Sequence, residues 1–279
     1  MSGWKYYNHA MIPTSAPHEE ADISVLKDES FWKEHRGAYL ARWTTDFDCG
    51  YETNWWYVIR TSPYDPEEVS SKERKSIRQA IKKCNVKQIK MAENIQPLYD
   101  CYLAACEQYE NHSHVDTPEQ FADWCNRSNQ TFECWAASDI ETETLIGYMT
   151  VGVEEHYVEI QSAKFMPKFF NKQASDALYH NVLDYYLNTL KKEYVCSGSR
   201  NINHKTNTQQ YKIRRFGYKK AYCVLHIRYN PKIEFVIKVL FPFRKLLKCF
   251  DKINFVHKIN GVLLMEEINR SKGDNESNV

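Results

Sequence analysis

The sequence predicts a mixed α/β (α+β) domain in which antiparallel strands run into a βαβ unit, and three observations carry that expectation. Hydrophobic residues make up 43% and charged residues 26% of the 279 residues, a balance that fills a core. From Ser70 to Tyr229, segments of helical period alternate with short β-rich runs in the order α, β, α, α, β, β, β, α, β, α, β. Outside that stretch the pattern changes. Residues 1–69 read as an N-terminal extension with a β-hairpin, 70–229 as the central domain, and 230–279 as a basic amphipathic helical tail.

Residues 1–36 read as irregular, with Pro13, Pro17, the acidic pair Glu19-Glu20 and a short helix from Phe31 to His35. Ala38 to Phe47 and Asn54 to Thr61 are rich in β-formers and flank a turn with Gly50, which predicts a hairpin. Ser70 and Glu73 form a capping box, and Ile77, Ala80, Ile81 and Cys84 recur at helical spacing, so a helix runs to about Cys84. Between Lys72 and Lys90 stand eight basic residues (Lys72, Arg74, Lys75, Arg78, Lys82, Lys83, Lys87, Lys90) against Glu73 alone. That helix is strongly basic, which gives either a solvated face or an attraction for phosphate.

A strand from Val86 to Met91 and a helix from Ile95 to Tyr109 follow. Thr117, Pro118 and Gln120 supply the cap, first-turn proline and box partner of a helix to about Arg127. Thr131 to Ser138, Leu145 to Glu155 and Tyr157 to Phe165 read as strands. Leu178, Val182, Tyr185, Tyr186 and Leu190 mark a helix from Ser175 to Leu190 ahead of a strand at Tyr194 to Gly198. A helix from about Asn207 to Phe216 stops at Gly217, and a strand from Lys220 to Tyr229 closes the domain. In the tail, Phe235, Val236, Val239, Phe243 and other apolar residues interleave with seven basic ones between Lys232 and Lys258. The run is too short and too charged to span a bilayer, and Pro242 bends it. It reads as an interfacial helix or a helix docked on the domain.

Composition excludes several classes. None of the nine glycines forms Gly-x-Gly, and Gly147 and Gly152, at the outer spacing of a Walker loop, precede Val153 and Glu154, so Rossmann and P-loop sites are excluded. The formal net charge of +1 gives no global field toward nucleic acid. Nine cysteines, an odd number without C-x-x-C, read as reduced thiols of a cytoplasmic protein that serve mostly in the core. His112, His114 and Asp116 lack a partner cysteine at fixed spacing, so the loop reads as polar or substrate-contacting, with no metal. Glu154, Glu155 and His156 read as solvated charge at a turn, whereas Glu159 on the following strand and His204 before the last helix are candidate bases.

The segment Phe165-Met-Pro-Lys-Phe-Phe-Asn-Lys-Gln-Ala-Ser-Asp-Ala-Leu178 after a strand, and Asn207-Thr-Gln-Gln-Tyr-Lys-Ile-Arg-Arg-Phe-Gly-Tyr218 near the end, give residues 86–229 a pattern that resembles the GNAT acyltransferases. Pro167 and Phe169 match the family's Pro-x-aromatic step, and Gly217-Tyr218 its closing pair. The resemblance implies a GNAT-like acyltransferase fold in which amides at a helix N-terminus hold the pyrophosphate of acyl-coenzyme A. By position, Phe165, Met166, Asn171, Gln173, Ala174, Ser175 and Asn207 would bind that donor, Asn171, Gln173 and Ser175 standing where glycines usually occur. Ile213 stands where many members keep a tyrosine acid, with Tyr211 nearby.

The Trp55-Trp56 run followed by Lys72-Glu-Arg-Lys-Ser-Ile-Arg-Gln-Ala-Ile-Lys-Lys83 resembles the entrance to the second domain of the FemAB-like peptidyltransferases. That branch lacks the glycine loop and takes an aminoacyl group from tRNA. Together the resemblances imply transfer of an acetyl, acyl or aminoacyl group to an amine or hydroxyl, with acetyl-coenzyme A or aminoacyl-tRNA as donor and no metal. A sugar or lipid-linked glycan precursor is the expected acceptor, with peripheral contact at the inner membrane. Glu159, His204 and Tyr211 are the catalytic candidates, and His112, His114, Trp55 and Trp56 the substrate contacts. The rival reading is a non-catalytic GNAT-like module for a phosphate-bearing ligand or partner protein.

Overall fold

Alternation along one strand decides how much of the chain is layered. Cys134 packs with Leu98, Cys101, Phe121 and Cys125, whereas its neighbour Trp135 meets Tyr185 and Tyr186. Adjacent side chains of a strand face opposite ways, so separate helices cover the two faces. The computed structural model describes residues 3–108, 115–202 and 207–271.

In chain order the strands are β1 (Trp4–Tyr7), β2 (Ala10–Pro13), β3 (Leu40–Thr45), β4 (Trp55–Thr61), β5 (Cys84–Ile89), β6 (Glu133–Asp139), β7 (Leu145–Val153), β8 (Tyr157–Phe165), β9 (Tyr194–Ser199) and β10 (Lys219–Tyr229). The helices are α1 (Glu29–Glu34), α2 (Ser71–Lys83), α3 (Ile95–Cys106), α4 (Pro118–Ser128), α5 (Ala174–Leu183), α6 (Thr208–Phe216), α7 (Pro231–Leu240), α8 (Arg244–Lys248) and α9 (Asn254–Arg270). Two compact units result: residues 1–57, 199–205 and 220–279, and residues 58–198 and 206–219. The N-terminal segment, β10 and the tail, separated in sequence, thus share the first unit.

In the first unit β1 and β2 form a hairpin that the sequence pattern does not announce. Its turn is Asn8-His9, with φ of 45° and 61°, the left-handed pair that such two-residue turns require. Strand β2 runs parallel to β3 from Ala10↔Leu40, and β3 pairs antiparallel with β10 from Thr45↔Val224 to Leu40↔Tyr229. The expected hairpin between residues 38–47 and 54–61 therefore does not form. Residues 46–54 are long enough to step across β10 and are fastened to it: Cys49 N donates to Tyr222 O at 3.0 Å and Thr53 Oγ1 to Cys223 O at 2.8 Å. The tail docks through Ile237, Phe241 and Leu263, which pack with Leu40 and Tyr229.

From α2 to α6 the second unit follows the predicted order, whereas β10, the strand expected to close it, belongs to the first unit. Strands β5, β6, β7 and β8 are successively antiparallel, and β8 pairs parallel with β9. Helices α3 and α4 bury Leu98, Cys101, Phe121 and Cys125 on the Cys134 face. Cap chemistry sets the boundaries. Thr117 Oγ1 accepts from Gln120 N at 3.3 Å while Gln120 Oε1 accepts from Thr117 N at 2.9 Å, and Gly217, at φ +67°, ends α6. The helix read as Ser175 to Leu190 is α5 followed by a π-helical turn at Asp184–Thr189.

Candidate active site

Strands β8 and β9 keep parallel register for three rungs only: Tyr157↔Tyr194, Val158↔Val195 and Glu159↔Cys196. Beyond Glu159, β8 stays in register with β7 alone, from Ile160↔Val151 to Phe165↔Gly147, with an irregularity that leaves Gln161 out of step. Parallel neighbours that part leave backbone groups on the facing edges without ladder partners, the arrangement a developing oxyanion needs. Glu159 stands on the last rung, half-buried, and its Oε2 accepts from Gln161 Nε2 at 2.8 Å. On the other side Lys212 of α6, only 7% exposed, donates to Ser197 Oγ one residue past that rung. The Tyr179 ring lies 5.6 Å below the Lys212 ammonium. Sequence reading missed this lysine because helical period marks it only as one more polar residue.

The start of α5 is built from three helices. Gln173, at φ 60° and ψ 39°, holds the left-handed conformation in which a glycine is ordinarily found. Its Nε2 donates to Ser76 Oγ of α2 at 2.7 Å, and Ser76 donates to Asp176 Oδ2 at 2.8 Å. Tyr211 of α6 donates to Asp176 Oδ1, and lies 3.2 Å from Ser175 Oγ. Burial, followed by the Asp176 charge, drives the Tyr211 hydroxyl far above its usual range. Arg215 Nε sits 2.8 Å from Glu73 Oε2 and 3.6 Å from Asp176 Oδ2, and Arg214 Nε 3.3 Å from Glu73 Oε1. Glu73 and Asp176 are 4% and 3% exposed. Two guanidiniums thus meet two carboxylates, with Asp176 on the third residue of the helix, where a carboxylate already answers the helix dipole.

A coenzyme A pyrophosphate does not fit this turn. Its anion would meet Asp176 in place of free charge, and Gln173 Oε1, a buried acceptor without a hydrogen-bond partner among the described residues, in place of a donor. The Glu73 carboxylate, expected to complete the α2 capping box, turns instead to α6; only the Ser70 half of the box forms, at 3.4 Å.

The remaining candidates divide. Phe165 lies against Gly147, where a Cβ would meet its ring at 2.7 Å, and Met166 N donates to Ile146 O at 2.9 Å. Met166 also lines a cleft of about 380 Å³ with Lys87, Asp100 and Glu143, which none of the α5-turn residues reaches. The Asn171 carbonyl accepts from Lys83 Nζ at 3.0 Å, Ala174 is buried, and Asn207 is exposed at the start of α6 without a side-chain cap bond. In the first unit Trp55 is 2% exposed and packs with Cys223, Leu225 and Ile268, which leaves it no face for a ligand. Trp56 is partly exposed, with Arg200 and Lys220 4.8 and 4.2 Å from its ring. His112, His114 and His204 lie outside the described residues. Among the described residues no three His, Cys, Asp or Glu side chains group as metal ligands.

A structure of FemX superposes with a TM-score of 0.55 over 84% of this chain and 85% of its own, at 6% identity. The chain shares the GNAT-like fold of that structure. The structure of L-PGS from Bacillus licheniformis matches 81% of the chain and 79% of its own at 12% identity and a TM-score of 0.47. A GNAT-family acetyltransferase from Bacillus anthracis matches 40% and 68%, at 17% identity and a TM-score of 0.34. No protein-family model and no curated protein matches the sequence. In this GNAT-like fold the parting of β8 and β9 and the start of α5 lie in one unit.

Proposed function

We propose that the protein is an aminoacyl-transferring enzyme that accepts its donor from tRNA and passes the aminoacyl group to an amine or hydroxyl, with a sugar or lipid-linked glycan precursor as acceptor. The observation that carries this reading is the closed start of α5: Asp176, Tyr211, Ser76 and Arg215 satisfy one another where a coenzyme A enzyme keeps an open anion seat. Among the families the sequence resembles, the FemAB-like branch is the one that works without a glycine loop.

Chemically, the acceptor nitrogen or oxygen attacks the ester carbonyl of the donor, a bond to carbon forms, the ester C–O bond breaks, and the tRNA hydroxyl leaves. Glu159 takes the acceptor proton and returns it to the departing tRNA oxygen, and the unladdered backbone past it, with the positive charge of Lys212, stabilises the oxyanion. Tyr211 acts through Asp176 as a positioning residue. The basic α2 face supports the same reading: Lys72, Lys75 and Lys82 are exposed, whereas Arg74 and Arg78 pair with Glu67.

The test offers the purified chain labelled aminoacyl-tRNA and, separately, acetyl-coenzyme A and longer acyl-coenzymes A. Retention of aminoacyl-tRNA with no thermal shift from any coenzyme A is the expected result. A shift with acyl-coenzyme A and no retention of tRNA replaces the donor, and binding of neither favours the non-catalytic module.

A further inference from the structure

The stretch from Pro231 to Phe250 is apolar on two sides. One side, Ile237 and Phe241 with partly buried Ile233 and Leu240, packs with Leu40, Tyr229 and Leu263 of its own unit. On the other side Phe235, Val239, Phe243, Leu246 and Phe250 recur at steps of four, four, three and four residues. Phe235 and Val239 share one face of α7, and Phe243, Leu246 and Phe250 continue the apolar residues through the turn after it and along and just past α8. All five are exposed, Phe235 at 72%, and Ile253 and Phe255, the latter at 73%, carry the apolar surface to the start of α9. Single exposed apolar residues are ordinary, but these seven exposed large ones within twenty-one residues call for a partner.

Charge identifies the partner. Lys238 pairs with Glu234 at 2.7 Å and Arg244 with Glu267 at 3.3 Å, whereas Lys232, Lys245, Lys248, Lys252 and Lys258 have no ion-pair partner among the described residues. A second copy of this surface in a two-fold contact would bring lysine toward lysine. An anionic bilayer offers hydrocarbon to the phenylalanines and phosphate to the ammonium groups, and long lysine stems reach from one to the other. No helix among the described residues is long and apolar enough to cross a membrane.

We propose that residues 231–258 form a membrane-docking surface for anionic lipid, with Phe235, Phe243, Leu246 and Phe255 entering the boundary between headgroups and acyl chains. The inference stands apart from the donor assignment, since it concerns the first unit alone.

Flotation of the full chain with phosphatidylcholine vesicles, with and without ~30% phosphatidylglycerol, tests it. Expected is binding to the anionic vesicles alone, weakened by salt. The triple variants Phe235→Ser/Phe243→Ser/Phe255→Ser and Lys245→Glu/Lys248→Glu/Lys252→Glu each lose about tenfold or more in partitioning. Their melting curves stay at the parental position, because all six side chains are exposed. Three results overturn the proposal: no binding to anionic vesicles at low salt, binding by both variants undiminished from the parent's, or a concentration-dependent dimer that the Phe→Ser variant abolishes.

Discussion

Arg215 Nε stands 2.8 Å from Glu73 Oε2, so one guanidinium fastens helix α6 to a carboxylate of α2 that has almost no contact with water. Removing one partner of a buried ion pair costs more than the pair itself contributes, because the remaining charge is stranded. Arg215→Ala is therefore expected to lower unfolding free energy by about 3–5 kcal/mol. Lysine, a point charge without the fork, should recover only part of that loss. Urea midpoints of the three proteins check this, and a loss of under about 1 kcal/mol for alanine contradicts the buried pair.

Gly147 is needed for a different reason. A methyl group there lies 2.7 Å from Phe165 Cδ1, and the strand pairing Gly147↔Phe165 gives the ring little room to retreat. Gly147→Ala should cost about 1–3 kcal/mol as an overpacking strain. Adding Phe165→Leu should return part of it, a non-additivity readable in a double-mutant cycle.

Thiol reactivity follows burial. Burial pushes Cys101, Cys134, Cys196 and Cys223 up to about 12, and Cys84 and Cys125 up to about 11. Cys106 is also buried, leaving Cys49 partly exposed and Cys249 exposed. In native protein a maleimide should label those two rapidly, and all nine after unfolding. Rapid labelling of a third thiol contradicts the core.

His180 gives a pH dependence with a definite sign. Burial holds its pKa below the ordinary 6.5, against a weaker upward pull from Asp184, and its Nδ1 lies 3.2 Å from the Tyr64 hydroxyl. A depressed pKa means that the unfolded chain takes the proton first. The contribution of this group to stability is thus complete above about 6.5 and declines as the pH falls below it. The difference in urea midpoint between the parent and His180→Gln should shrink between about pH 7.5 and 5.5. A difference that grows on acidification reverses the assignment.

What the residues announce locally, they announce well. Pro118 with Thr117 starts α4, Gly217 ends α6, and the period of Leu178 and Val182 marks α5. The turn before α5 was legible too, since Gln173 adopts the backbone of the glycine it replaces. Pairings between distant segments carry no such signal. Nothing near Thr45 reveals that Val224 lies opposite it, and Asn8-His9 makes a left-handed turn without the glycine that usually advertises one. Trp55 and Trp56 look alike in sequence, yet strand alternation sends one inward and leaves the other near Arg200 and Lys220. The buried cluster of Glu73, Asp176 and Arg215 was hidden because its members belong to three helices and each reads singly as a surface charge.

The carboxylate of Asp176 at the head of α5 also bears on how the unit behaves between encounters with substrate. Where a helix terminus is left open for a phosphate, the folded state leans on its ligand, and heat tolerance follows occupancy. Here the most polarised backbone of the unit is matched by a side chain of the same polypeptide. Such a scaffold needs no bound anion to complete the head of this helix.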